Sequence, residues 1–286
     1  AATSVKTLRF SSTNVGKIVT TSENYLTISG TLVNDVDVVA GNTGYVQGPL
    51  ARTLPSSLSS GSTYVFPIGK SISNQFDLVN PTTSSGGNVI VISEVFDEHP
   101  GGTEGLLIQD GSLGNRYWSS VISFGDEQFI NSMIRVSQTS PELIPGNALA
   151  QSTTKTGEYN SISSTLPISN TLTSDITNTL GFFAIGLQEA TLGGAVTGGS
   201  TICEGQTSEL LILSGYIGNI LRWESSVSPF EIWTPIAHTE PTYTSDPLTE
   251  TTRFRAVVKS GSYNEEASEY TEVVVNPTTV GGSVTG

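Results

Sequence analysis

The residues that could carry out acid–base or zinc chemistry are few and lie far apart in the chain. The histidines are His99 and His238, and the single cysteine is Cys203. A Ser–His–Asp arrangement needs its three side chains within hydrogen-bonding distance, and no G-x-S-x-G sequence supports one. One cysteine and two isolated histidines also lack the spacing of a zinc site. We therefore predict a non-enzymatic protein with no catalytic, cofactor-binding or metal-ligating residues, whose histidines lie in loops or on the surface.

Carboxylates form the second group of residues that could do chemistry. Asp35 and Asp37 would share one face of a predicted strand. The acidic loop 97–110 could supply several oxygens to a calcium ion, although neither place has the spacing of an EF-hand. A glycoside hydrolase would need two carboxylates facing each other across a sugar, and the sequence places no such pair. We expect solvated acidic surfaces, and calcium is the one cofactor left open. Adjacent acidic pairs occur at Asp97-Glu98, Asp126-Glu127 and Glu265-Glu266.

Aromatic side chains could bind sugars by stacking against them if their rings are exposed. The candidates for this role are Tyr117, Trp118, Tyr216 and Trp233. Tryptophans at such positions more often belong to the core, so we expect Trp118 and Trp233 to be buried. A glycan-binding role stays open as an alternative.

The composition limits both the fold class and the partners. Of the 286 residues, 13% are charged and the formal net charge is −14. Nucleic acid is not an expected partner, because binding phosphates needs a basic surface. No apolar run reaches the 18 or more residues that indicate a membrane-spanning helix, so we expect no membrane insertion. Ser, Thr, Gly and Asn take the place of charged residues, which favours short strands with polar outer faces.

Short apolar runs separated by turn residues predict an all-β sandwich domain over residues 1–189. The evenly spaced runs of residues 1–45 also fit a small β-solenoid, so this start has two interpretations. Residues 88–96 are the most apolar run and predict a central strand. Residues 181–186 predict a buried strand that closes the domain, whereas residues 168–180 predict a turn at most.

Residues 190–276 predict a second, Ig-like β-sandwich. Its clearest strand is residues 252–259, in which Phe254, Ala256 and Val258 alternate with Arg253 and Arg255. This alternation predicts one face that packs in the core and one that meets water. Trp223 lies where Ig-like domains keep a core tryptophan.

A short phrase occurs twice in the chain and indicates a tandem repeat. The phrase LGGAVTG at residues 192–198 returns as VGGSVTG at residues 280–286, an offset of 88 residues between Gly193 and Gly281. This period is too long for one solenoid turn and suits one small sandwich of about 100 residues. We interpret residues 277–286 as the start of the next repeat, in a modular surface or stalk protein.

Several motifs resemble a known group of proteins. The second domain resembles the Ig-like repeats of very large Bacteroidota cell-surface proteins, which include flavobacterial gliding-motility adhesins exported by the type IX system. A pair of motifs in residues 44–52 and 64–70 is also similar to those proteins. The motifs of the second domain are Ile202-Cys203-Glu204-Gly205-Gln206, Trp223-Glu224-Ser225-Ser226, Trp233-Thr234-Pro235-Ile236, Tyr243 and the run from Leu248 to Val258.

The resemblance implies a secreted protein at the cell surface, associated with the outer membrane. It implies a role in adhesion or stalk extension, with a surface ligand or polysaccharide and neighbouring repeats of the same chain as partners. The alternative function is a carbohydrate-binding module of an exported polysaccharide-degrading protein. Such repeats often pair the early cysteine with a second one, near Ser262-Tyr263 here, and that partner is missing. Cys203 is then expected to be a free thiol that packs as a small buried residue.

Overall fold

The structure, a computed structural model, describes residues 3–10, 16–37, 44–163 and 165–277. This part of the chain is all-β, as the sequence predicts, and it contains no α-helix. The helical segments of the described residues are two 3-10 turns, Val33–Asp35 and Asp126–Gln128. None of the described helices is long and apolar enough to cross a membrane. The chain divides into two compact units, Ala1–Gln188 and Glu189–Gly286.

The first unit is built from short and medium strands. The strands of its described residues are β1 (Thr3–Val5), β2 (Leu8–Arg9), β3 (Lys17–Val19), β4 (Leu26–Ile28), β5 (Val36–Asp37), β6 (Tyr45–Gln47), β7 (Leu50–Leu54), β8 (Thr63–Phe66), β9 (Phe76–Thr83), β10 (Val89–Phe96), β11 (Thr103–Glu104), β12 (Tyr117–Phe124), β13 (Phe129–Ser137), β14 (Asn147–Ser152), β15 (Glu158–Ser161), β16 (Thr171–Thr177) and β17 (Gly181–Leu187).

Two sheets of the first unit enclose its main core, as in a β-sandwich. One sheet has nine strands in the order β1-β4-β7-β10-β12-β17-β14-β15-β11, and the other has four in the order β16-β13-β9-β8. Their inner side chains form one hydrophobic cluster, which includes Phe76, Val91, Trp118 and Phe183. Every second residue of β10 is buried, and this strand lies inside the larger sheet between β7 and β12. The central position predicted for residues 88–96 is therefore correct.

The start of the first unit contains parallel strand pairs. Strands β1, β4 and β7 pair in parallel, with Thr3 opposite Leu26 and Leu26 opposite Leu50. Strands β2 and β5 also pair in parallel, as do β3 and β6. Parallel neighbours need a crossover between them, so this start is wound rather than folded into hairpins. Val38 and Val39, which the sequence assigns to a strand, lie outside the described residues.

Arg52 on β7 joins the wound start to the sandwich. Its guanidinium is fully buried and donates hydrogen bonds to the backbone oxygens of Val65 (2.9 Å), Leu32 (3.1 Å) and Val33 (3.3 Å). The guanidinium carbon also lies 4.9 Å from the ring centroid of Tyr64. Burial lowers the pKa of Arg52 to about 10. The two motifs at residues 44–52 and 64–70 thus meet at a structural contact.

The prediction of no more than a turn at residues 168–180 is wrong, because β16 occupies residues Thr171–Thr177. Its inward positions include Leu172 and Ser174, which are both buried. The hydroxyl of Ser174 accepts a hydrogen bond of 2.7 Å from the backbone N–H of Ile134. A serine with such a partner can occupy an inner position of a strand without the apolar pattern that reveals strands in sequence.

The second unit is also a two-sheet structure. Its described strands are β18 (Ala195–Thr197), β19 (Thr201–Cys203), β20 (Leu211–Ser214), β21 (Asn219–Val227), β22 (Thr234–Ile236), β23 (Thr242–Tyr243), β24 (Thr252–Lys259), β25 (Glu266–Ala267) and β26 (Thr271–Asn276). A three-stranded sheet has the order β18-β20-β23. A six-stranded sheet has the order β19-β26-β24-β21-β22, with β25 paired to β24.

The core of the second unit confirms the inward face predicted for β24. Phe254, Ala256 and Val258 are buried together with Trp223 and Leu211. The indole N–H of Trp223 donates a 2.9 Å hydrogen bond to the backbone oxygen of Glu240, so the polar atom of this core residue is satisfied. Trp223 is therefore the core tryptophan that the sequence predicts.

Candidate ligand-binding face

The basic residues of the second unit are concentrated on one face of its larger sheet. Residues 190–286 contain four basic residues against eleven acidic ones. Arg253, Arg255 and Lys259 occupy alternate positions of β24, and Arg222 lies opposite Val257 from the neighbouring strand β21. Alternate residues of a strand and their cross-strand partners share one face of a sheet. All four basic side chains therefore start from the face that lies opposite the core residues Phe254 and Ala256.

Glutamates neutralise the three arginines of this face. Glu224 is only 5% exposed and accepts hydrogen bonds from the Nε atoms of Arg222 and Arg255, each at 2.8 Å. The Nη1 atom of Arg222 donates to Glu265 at 2.9 Å, and the Nε atom of Arg253 donates to Glu272 at 2.8 Å. The hydrogen bonds to Glu265 and Glu224 raise the pKa of Arg222. Arg222 and Arg255 are thus joined through Glu224, and Arg253 forms a separate pair with Glu272.

Three aromatic rings contact these guanidinium groups. The Cζ atom of Arg253 lies 3.9 Å from the ring centroid of Phe230 and 4.5 Å from that of Tyr270. The Cζ atom of Arg255 lies 4.0 Å from the ring centroid of Trp233. Cation–π contacts of this kind contribute about 0.5–1 kcal/mol each at exposed sites. We call this surface, made of the three arginines, their glutamates and the three rings, the arginine–aromatic face.

The segment before β22 brings two of the rings to the face. Phe230 has φ of +64°, a left-handed conformation that is unfavourable for a bulky residue. Its backbone N–H donates a 2.7 Å hydrogen bond to the oxygen of Val227, which closes a tight turn. Strained residues persist only where the surrounding structure fixes them, and they cluster at functional sites. The same segment lines a cavity of about 300 Å³ with Pro229, Ile232 and Thr234.

The four aromatic side chains that the sequence suggests for sugar binding differ in how far they are buried. Trp118 is fully buried, as expected, and its indole N–H donates to the oxygen of Asn74 at 3.0 Å. Tyr117 is also buried, and Tyr216 is half-buried against the core of the second unit. The expectation that Trp233 is buried in the core is wrong, because it lies half-exposed on the arginine–aromatic face. The reason is that it lies just before β22, where its ring packs on Arg255.

Two of the rings were not candidates from the sequence. Phe230 lies in a turn, and Tyr270 directly precedes β26. Tyr270 reaches Arg253 because β26 pairs with β24, which sets Glu272 opposite Arg253, whereas Phe230 reaches it from the turn that follows β21. No local spacing signals this pairing. The outward alternation of Arg253 and Arg255 is the one sequence feature that points to the face.

The acidic loop 97–110 uses its carboxylates in ion pairs and backbone hydrogen bonds. Asp97 accepts a 2.7 Å hydrogen bond from Arg116, and Glu98 pairs with Lys155 at 2.8 Å. Glu104 instead accepts from the backbone N–H of Leu113 at 3.1 Å. Among the described residues, no group of three or more His, Cys, Asp or Glu side chains could hold a metal ion. The loop therefore gives no support to the calcium alternative.

The sequence suggests that Asp35 and Asp37 share one face of a strand, but in the structure they do not. Asp35 ends a 3-10 turn, where its buried carboxylate accepts a 2.8 Å hydrogen bond from the backbone N–H of Leu32. Asp37 lies on β5, and its carboxylate is 3.9 Å from Arg9. The prediction is wrong because the first aspartate stabilises a turn instead of extending the strand.

The histidines and the cysteine lie apart. His99 is exposed in a loop of the first unit. His238 in the second unit is half-buried, with its Nε2 atom 2.7 Å from the oxygen of Thr242. Cys203 is a free cysteine and is exposed, so the expectation that it packs as a small buried residue is wrong. It lies on β19 at the edge of the six-stranded sheet, opposite Asn276 of β26.

Comparison with known proteins covers the second unit alone. Residues 192–277 match the model of a family described as a domain of unknown function (DUF8696). No curated protein matches the chain. The matched segment begins with the first copy of the repeated phrase and contains every residue of the arginine–aromatic face.

Proposed function

We propose that this chain is a non-enzymatic part of a repetitive cell-surface adhesin, in which it acts as a stalk and adhesion module outside the cell. The resemblance of its motifs to large Bacteroidota surface proteins supports this role, and gliding motility is one process that such a module would serve. The all-β architecture of two compact units suits a protein that extends through modules in series.

The observation that carries the proposal is the place of the repeated phrase in the fold. Residues 192–198 contain β18, the first strand of the second unit. Gly194 and Gly198 have φ of +71° and +98°, a region that favours glycine. The phrase is thus the structural beginning of a sandwich. The second copy, residues 280–286, lies outside the described residues, but its sequence begins another such domain on this interpretation.

The short connection between the units fits a stalk. Gln188 donates from its side chain to the oxygen of Leu107 at 2.8 Å, inside the first unit. Glu189 and Thr191 accept hydrogen bonds from Ser260 at 2.6 and 3.0 Å, inside the second unit. The residues on each side of the boundary thus belong to their own unit, so the connection is not a long Gly/Ser linker.

Small-angle scattering tests this proposal. The chain would be compared with a longer piece of the protein that continues through two further repeats. The maximum dimension should grow by about one sandwich length for each added repeat, as expected for modules in series. A particle that stays compact as repeats are added, or a continuation of the gene without further copies, would contradict the stalk.

A second candidate function is a carbohydrate-binding module. The rings of the arginine–aromatic face favour it, because Tyr270 is exposed, Phe230 and Trp233 are half-exposed, and rings of this kind stack against sugars. This function and the stalk are compatible, since an adhesin needs a surface that contacts its ligand.

A further inference from the structure

We propose that the arginine–aromatic face binds a neutral polysaccharide chain. This inference rests on the proposed extracellular role and names the ligand that the module would contact.

The rings of the face are fixed before any ligand arrives. The guanidinium of Arg253 lies against both Phe230 and Tyr270, and that of Arg255 lies against Trp233. The rings of Trp233 and Tyr270 are neighbours, with centroids 6.4 Å apart. Tyr270 is 46% exposed, so its ring is accessible to a ligand. Rigid aromatic groups lose little conformational entropy on binding, which favours stacking against the C–H groups of a pyranose ring.

The balance of charge selects a neutral ligand. Each of the three arginines pairs with a glutamate, so the face offers no cluster of unpaired positive charge to an anionic polymer. The rest of the second unit is acidic, and its field repels polyanions. An anionic glycan would therefore meet repulsion, whereas a neutral one would not.

The face also presents groups that match sugar hydroxyls. The side chains of Glu272 and Glu265 are 35% and 46% exposed and offer acceptor oxygens, while those of Arg253 and Arg222 are 28% and 33% exposed and offer donors. A sugar hydroxyl both donates and accepts, so it can use either group. Glu224 is enclosed and instead holds Arg222 and Arg255 in place.

Affinity electrophoresis of the chain tests this assignment. The gels would contain a galactomannan, a β-1,3-glucan or an α-glucan as neutral probes, and alginate as an anionic probe. At least one neutral polysaccharide should retard the wild-type chain, and alginate should not. Trp233→Ala and Tyr270→Ala should each weaken binding by about tenfold or more, as expected for aromatic contact residues.

Two further variants control the experiment. Phe124→Ala removes an exposed ring of the first unit and should leave retardation unchanged. Trp233→Phe keeps a ring over Arg255 and should bind better than Trp233→Ala, with thermal melting to verify that each variant folds. Retardation by alginate alone, no retardation by any neutral probe, or unchanged binding in both alanine variants would overturn the assignment. If the maximum dimension grows with each repeat but no glycan binds, the stalk proposal stands and the glycan assignment fails. If a glycan binds but the maximum dimension does not grow, the repeat architecture is contradicted instead.

Discussion

At the scale of single residues, the clearest structural role belongs to Arg52. Its guanidinium is fully buried, and its partners are backbone oxygens, which no substitution can remove. Replacing a buried ion together with its partner is often neutral, but here the oxygens of Val65 and Val33 would stay behind without this donor, whereas that of Leu32 still accepts from the backbone N–H of Asp35. The free energy lost when these oxygens have no donor should therefore exceed the free energy gained by no longer burying a charge.

Arg52→Met should lower the free energy of unfolding by about 3 kcal/mol, because each oxygen left without a donor costs about 1–3 kcal/mol and part of this is offset by relief of charge burial. Urea denaturation measures the change. Arg9→Met is the matched control, since the side chain of Arg9 is 70% exposed, and it should change stability by less than about 0.5 kcal/mol. Equal effects of the two variants would contradict the structural role of Arg52.

The pH dependence of the Arg52 effect has a definite sign. Burial lowers the pKa of Arg52 to about 10 in the folded state, so the unfolded state holds this proton more tightly. The buried charge therefore costs stability at every pH below about 10, and the cost falls as the pH rises through that value. The gap in unfolding free energy between wild type and Arg52→Met should stay constant from about pH 5 to 8. A gap that changes steadily over this range would show that another group titrates with Arg52.

At the scale of strands and turns, the glycines of the repeated phrase permit the backbone conformation with which the second unit begins. Gly198 has φ of +98°, and a Cβ atom at this position would collide with the backbone oxygen of Leu210. Gly198→Ala should therefore destabilise the unit by about 1–3 kcal/mol. Thr197→Ala, at the exposed neighbouring position, should have little effect. Thermal melting of both variants checks this. An unchanged melting temperature for Gly198→Ala would contradict the claim that the repeated phrase needs glycine at this position.

The strands also show what the sequence could and could not predict. Strand β24 spans Thr252–Lys259 as predicted, because basic and apolar residues alternate from Arg253 to Ala256 and the β-branched Val257 and Val258 continue the strand. Strand β22 covers only Thr234–Ile236, although the two residues before it, Ile232 and Trp233, are also apolar. The preceding residues leave the sheet, and Trp233 uses its apolar ring to cover Arg255 instead of the core. Hydrophobicity marks a residue that packs, but it does not say against which face it packs.

For the same reason, the sequence predicts only part of the candidate site. The outward arginines follow from the alternation within one strand, which is a local pattern. Phe230 and Tyr270 join them through a turn and through the pairing of β26 with β24, which are set by the tertiary fold. A site assembled from three separate segments can be recognised only once the order of the strands is known.

At the scale of the whole molecule, each unit has its own hydrophobic core. The cluster around Trp223, Phe254 and Val273 draws only on residues of the second unit. We therefore expect a piece containing residues 189–277 to fold alone and to melt in one cooperative transition, as small single domains do. Circular dichroism during heating measures this, and a gradual loss of signal without a transition would contradict an independent core.

Two tryptophans of this piece separate its core from its surface. Trp223 is fully buried, so Trp223→Ala should reduce the free energy of unfolding by about 3–5 kcal/mol. The melting transition should then disappear or occur at a much lower temperature. Trp233 contacts one guanidinium on the outer face, so Trp233→Ala should cost only about 1 kcal/mol. If both substitutions lowered the melting temperature equally, Trp233 would be part of the packing that holds the sandwich together. A small effect at Trp233 leaves its ring available for a ligand, because a side chain that contributes little to folding can be selected for what it binds.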